Sequence, residues 1–152
     1  MASTESTIER HKLSTPYAWL LLIEITYDGV TIARYTSDLT DTVFNGNTYS
    51  PRAINLSGVK ETIKGEIPRI VLSIGNTDLA LASGLKSNDG YVGGSVNLLV
   101  VSSSPDVSDA AVDDTFSIIE TDSDADWIHF TLGIQNLFLQ RFPRDRYVST
   151  IC

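Results

Sequence analysis

Apolar and polar positions alternate in short bursts along this chain and almost nowhere at helical spacing. From Trp19 the sequence is apolar to Ile23, then alternates, with Ile25 and Tyr27 set against Glu24, Thr26 and Asp28. Successive strand side chains point to opposite faces, so this reads as a strand with one face buried. Asp28-Gly29 is a hairpin signal, because a tight two-residue turn needs positive φ, and Val30 to Tyr35 is the returning strand. Val43-Phe44 and Thr48-Tyr49 flank Asn45-Gly46-Asn47, a second tight hairpin. Pro51 ends that run. Ala53 to Val59 alternates weakly, as an edge strand does, and Lys60 to Gly65 reads as a polar turn. Ile67 to Ile74 is a further strand, with Pro68 at its beginning, where a missing N–H is tolerated.

Gly75-Asn76 stops that strand. Asn76 or Thr77 is placed to cap a short helix holding Leu79, Ala80, Leu81, Ala82 and Leu85, weakened by Gly84. Asn88-Asp89-Gly90 is a turn. Val96 to Val101 is a largely apolar strand whose Asn97 should face a turn or a partner. Ser102 to Asp114 has loop composition, Thr115 to Thr121 alternates, and Asp122 to Asp126 forms an acidic hairpin. Trp127 to Ile134 alternates again, with Trp127, His129 and Thr131 on one side and Ile128, Phe130 and Leu132 on the other; Leu137 to Phe142 is a last short apolar segment. The sum predicts an all-β fold: a small β-sandwich or a partly open β-barrel of about seven or eight short strands with one short helix. Residues 1–15 read as a flexible N-terminal arm, 16–140 as the β-rich domain, and 141–152 as a basic C-terminal arm or the start of a following domain.

Charge sharpens this picture. The net charge is -8, which disfavours a general nucleic-acid binder or an anionic membrane as partner. No Lys or Arg occurs between Lys86 and Arg141, while Asp89, Asp106, Asp109, Asp113, Asp114, Glu120, Asp122, Asp124 and Asp126 fall in that gap. Arg141, Arg144 and Arg146 then come together, mixed with Phe142, Pro143 and Tyr147. Arginine forks pair well with carboxylates, so this segment is the candidate interface, reaching the acidic body or a neighbour's. The longest apolar run, Ala18 to Ile23, is far short of the roughly 20 residues that span a bilayer. Residues 1–15 carry no apolar core of a signal peptide. The one cysteine, Cys152, permits no internal disulfide.

Catalytic chemistry is hard to assemble from this inventory. His11 lies in the arm and His129 in a strand, and no short motif marks a nucleophile beside either. No phosphate loop ending in Gly-Lys-Ser or Gly-Lys-Thr is present. Asp122, Asp124 and Asp126 match the first three ligand positions of a calcium loop, but Trp127 stands where Gly is needed and Gly133 where Glu is needed. Gly90, Gly93 and Gly94 precede a strand rather than a helix, so a bulge or lip is the simpler reading than a phosphate cradle. The expectation is a protein that is not an enzyme. A rival class is a carbohydrate- or peptide-binding β-sandwich using Tyr91, Trp127 and Tyr147 on one exposed face.

Four stretches in order carry a likeness: Leu20-Leu21-Leu22-Ile23-Glu24-Ile25, Val43-Phe44-Asn45-Gly46-Asn47-Thr48-Tyr49-Ser50-Pro51, Pro68-Arg69-Ile70-Val71-Leu72-Ser73-Ile74-Gly75-Asn76, and Phe142-Pro143-Arg144-Asp145-Arg146-Tyr147 followed by Cys152. Together they resemble the minor tail protein L family of long, non-contractile-tailed bacteriophages, over roughly Thr15 to Cys152. The resemblance implies a structural virion protein, made in the host cytoplasm and placed at the tail tip. It would bridge the distal tail tube and the hub during assembly. The implied partners are the distal tail ring and the hub, with ring assembly in the virion and a monomer or weak oligomer in isolation. The family's C-terminal part can hold an iron–sulfur cluster, and Cys152 would stand as its first ligand if the chain continued. A cluster needs several thiolates, so these residues alone are expected to bind none.

Overall fold

The computed structural model of the chain describes residues 17–58, 69–77, 79, 81–104 and 108–133. Strands dominate them: β1 (Trp19–Tyr27), β2 (Val30–Thr36), β3 (Thr42–Phe44), β4 (Asn47–Pro51), β5 (Ile54–Ser57), β6 (Arg69–Gly75), β7 (Ser95–Ser102), β8 (Ala110–Ser123) and β9 (Trp127–Gly133). One short helix, α1 (Ala82–Ser87), and a 3-10 turn (Asp89–Tyr91) complete the set. The fold is all-β, as expected, with nine strands among the described residues forming one open sheet in the order β3-β4-β2-β1-β7-β8-β9-β6-β5. No helix among these residues is long and apolar enough to cross a membrane.

Both predicted hairpins form around left-handed pairs. Asp28 and Gly29 have φ of 50° and 75°, and Asn45 and Gly46 have φ of 50° and 77°. Consecutive positive φ values of this kind match the right-handed twist of the flanking strands. The expected edge strand is β5, which ends one side of the sheet. The segment leading into it also ties the sheet's two ends. Ser50 and Pro51 pair with Tyr35 and Thr36 of β2, while Ile54 to Ser57 pair with Ile74 to Val71 of β6. Between them the Arg52 N–H donates to the Thr36 carbonyl at 3.0 Å and the Gly75 N–H to the Ala53 carbonyl at 2.8 Å. Of the two predicted architectures, this seam brings the open sheet nearer to the partly open barrel.

The sheet encloses a core of Ile23, Ile25, Leu72, Ile74, Val96, Ile118, Ile128, Phe130 and Leu132, each almost wholly buried. Fully burying a side chain of this kind contributes about 1.5–3 kcal/mol. A second cluster lies on the other face of β1 and β7, where Leu20, Leu22, Leu99 and Val101 pack under Tyr49 of β4. The single buried face predicted for β1 is thus two buried faces over Leu20 to Ile23. That accounts for the unbroken apolar run at its start.

Two element boundaries differ from expectation. The helix starts at Ala82 with Leu81 at its N-cap and no side-chain cap. Asn76 is 5% exposed with its N–H bonded to the Asp126 carbonyl, and Leu79 has a φ of 56°, which no helix can pass through. Gly84 is there for space: a Cβ would collide with the Tyr91 hydroxyl. The other difference is β8, which begins at Ala110 inside the expected loop. The ladder to β7 holds Ala110 to Asp114 extended despite their weak strand propensity, with Val112 opposite Val100 and Asp114 opposite Leu98.

Candidate functional site

The outer face of β6 and β9 brings together the residues closest to a reactive constellation. Alternation along β9 turns Ile128, Phe130 and Leu132 inward and leaves Trp127, His129 and Thr131 facing outward, as the sequence pattern indicates. Register places Ser73 of β6 on one side of His129 and Asp122 of β8 on the other. Ser73 Oγ lies 2.8 Å from His129 Nδ1, and Asp124 Oδ2 lies 3.4 Å from His129 Nε2. A carboxylate only accepts, so the neutral ring carries its proton on Nε2 and Nδ1 accepts from the Ser73 hydroxyl.

A serine, a histidine and an aspartate therefore stand in one chain of hydrogen bonds. The surroundings do not support acyl transfer. Ser73 is 8% exposed and sits mid-strand between β5 and β9. Its neighbouring backbone amides belong to the ladders, so they cannot form an oxyanion hole. The contact is a cross-strand polar pair with an exposed acid beside it.

Asp124 is held by its turn. Its Oδ1 accepts from the amides of Asp126 at 2.9 Å and Trp127 at 2.7 Å. Those two bonds, followed by the contact with His129, lower the pKa of its carboxyl. Asp122 Oδ1 likewise accepts from the Ser123 amide. The three spaced aspartates do not converge, and no group of three potential metal ligands forms among the described residues. The Gly90–Gly94 loop is engaged too: Gly93 N–H donates to Ile118 and Gly94 N–H to Tyr91, which removes them from any phosphate cradle.

Other predicted residues divide plainly. Arg141, Phe142, Arg144, Arg146, Tyr147 and Cys152 lie outside the described residues, as does the arm of residues 1–15 and the domain boundary at 140. Tyr91 is 4% exposed with its ring edge-on to Tyr27, so it offers no surface to a sugar or peptide. Trp127 keeps a partly exposed indole. Asp113, Asp114, Glu120, Asp122, Asp124 and Asp126 are all exposed, so the acidic stretch is a real surface along β8 and its turn.

Sequence reasoning missed the apolar surface. Leu39 is 92% exposed on the loop after β2, beside a cavity of about 470 Å³ at the seam, also lined by Asp38, Arg52 and Trp127. Arg52 lays its guanidinium 5.3 Å from the centre of the Tyr35 ring. Val43 is exposed on the edge strand β3. Trp19, Val100, Ala111 and Val112 line a second cavity of about 420 Å³. A leucine isolated in Ser37-Asp38-Leu39-Thr40-Asp41 was the one available signal. Glu24, Arg34 and Tyr49 form a further polar cluster, in which Arg34 Nε donates to Glu24 Oε2 at 2.9 Å. Burial, and next the Glu24 charge, push the Tyr49 hydroxyl pKa up.

No family profile and no curated protein matches the chain in sequence. Among solved structures it is similar to a chain of the virion of a native gene transfer agent particle. The TM-score is 0.59 at 16% identity, covering 95% of this chain and 49% of that one. The chain thus spans about half the length of that structural neighbour, and the likeness is one of fold.

Proposed function

We propose that this chain is a structural virion protein, a minor tail protein of a tailed bacteriophage or phage-like particle. In this reading it bridges the distal tail tube and the hub of the tail tip during assembly. The observation that carries the reading is the shared fold, over 95% of the chain, with a component of a gene transfer agent virion. The ordered segments that resemble the minor tail protein L family point the same way. The described body suits subunit contacts: Leu39, Val43, Trp19 and Val112 are exposed apolar side chains, and Asp113, Asp114, Glu120, Asp122, Asp124 and Asp126 are exposed acids. Its partners are neighbouring tail-tip proteins, and the Arg141–Arg146 segment pairs with their carboxylates or with those of a second copy. The role involves no reaction of its own.

Reversing Arg141, Arg144 and Arg146 to Glu together tests the placement. Complete tails should become rare in electron micrographs of lysates, and infectious titre should fall with them. The thermal unfolding of the isolated protein should stay unchanged. Normal tails from the triple variant would remove the tail-tip assignment.

A further inference from the structure

The loop after β2 presents a leucine that the fold itself does not use. Leu39 is 92% exposed, yet the backbone around it is braced. The Ser37 N–H donates to the Leu21 carbonyl at 2.9 Å, and Ser37 Oγ accepts from the Leu21 N–H at 3.0 Å. Thr36 Oγ1 and Thr42 Oγ1, 3.2 Å apart, tie the two ends of the loop. Asp38 donates its N–H to Thr36 Oγ1 and accepts the Leu39 N–H on Oδ1 at 2.7 Å. A braced loop offers its tip to a partner with little conformational freedom left to lose.

The same side chain lines the seam cavity of about 470 Å³, whose apolar walls include Pro51, Ile54 and Trp127. A residue that lines a cavity while 92% exposed stands at its rim rather than inside it. Knob and hole therefore lie side by side on one patch, and Asp38 and Arg52 line the same cavity.

We propose that this patch is a contact between two copies of this chain, related by a two-fold axis, in which each Leu39 enters the seam cavity of the other. The occupant follows from self-complementarity. A surface that carries its own knob, its own hole and one charge of each sign fits a copy of itself. Bringing Leu39 of one copy to the cavity of another also brings the second Leu39 to the first cavity, because rim and cavity are adjacent. The two-fold that exchanges the leucines sets Asp38 of each copy toward Arg52 of the other, acid against base on both sides. A guanidinium has five N–H donors, enough to keep its place over the Tyr35 ring and still meet a carboxylate. The patch consists of one loop and one seam, so it is small and the association is weak. The inference stands on this patch alone and does not depend on the virion assignment.

The test is sedimentation of the full chain in reducing buffer, which keeps Cys152 from forming a covalent dimer. Between about 10 μM and about 1 mM the unaltered chain should pass from monomer to dimer. Leu39→Ser should weaken that association at least about tenfold, while its thermal unfolding in dilute solution matches the parent, since an exposed side chain supports no packing. Trp127 reports on the cavity. In a Trp19→Phe background Trp127 is the chain's one indole, and its emission should move to the blue as the dimer forms. Adding Leu39→Ser to that background should abolish the shift. A chain that stays monomeric throughout overturns the proposal. A dimer that Leu39→Ser leaves intact also overturns it, by giving the contact to another surface. An assembly larger than a dimer that depends on Leu39 would replace the two-fold with a head-to-tail contact and refute the exchange. Dimerisation with no change at Trp127 would refute the cavity as the receiving site.

Discussion

Asp124 shows what a single residue does for this fold. Its carboxylate satisfies two amides of the turn and touches His129, and those contacts lower its pKa. A depressed carboxylate pKa stabilises the native state above the ordinary aspartate range, and that contribution is lost as the pH falls through the lowered value. Asp124→Ala should therefore melt at a lower temperature than the parent at neutral pH, with the gap closing in acid. A gap that stays constant down to full carboxylate protonation would show that the turn bonds carry no charge-assisted component. The turn itself was legible from three aspartates before a tryptophan. The use of those aspartates was not, because their partners are backbone amides that only the folded turn brings round. The contact between Ser73 and His129 was hidden for a related reason: strand register joins residues 56 apart in sequence.

At the scale of elements, local signals were read well and long-range pairing was not. Asp28-Gly29 and Asn45-Gly46 specify their turns through φ alone, so both hairpins could be placed from two residues each. The start of β8 could not, since Ala110, Ala111, Asp113 and Asp114 become strand only through β7. The seam was equally invisible. Nothing in Pro51-Arg52-Ala53 announces that one stretch pairs with β2 and then with β6. Its energetic weight can be measured with Arg52→Pro, which deletes the donor to the Thr36 carbonyl. Losing that bond and leaving the carbonyl unpaired should cost about 1–3 kcal/mol in denaturant unfolding. Arg52→Ala, which keeps the amide and removes the side chain with its contact to Tyr35, should cost about 0.5–1 kcal/mol. Equal costs would mean that the seam bond contributes nothing beyond the side chain.

The whole molecule is organised around β1 and β7, because apolar clusters pack on both of their faces. An antiparallel strand with one solvated face would make neighbouring residues unequal, one vital and the next nearly silent. Here Ile23 faces the enclosed core and Leu22 faces the cluster under Tyr49, and both are 0% exposed. Ile23→Ala and Leu22→Ala should each lose about 2–5 kcal/mol, the range for emptying a buried aliphatic site. The Leu22 result carries the argument. A loss below about 1 kcal/mol is what a surface position gives. It would mean that the β3–β4 hairpin does not cover β1 in solution. A full loss would make that hairpin part of the same cooperative unit as the barrel-like sheet, since Tyr49 could not leave without exposing Leu20, Leu22, Leu99 and Val101 together. Val43, on β3 at the outer margin of that hairpin, would then be presented on a rigid support, as a contact between assembled subunits requires.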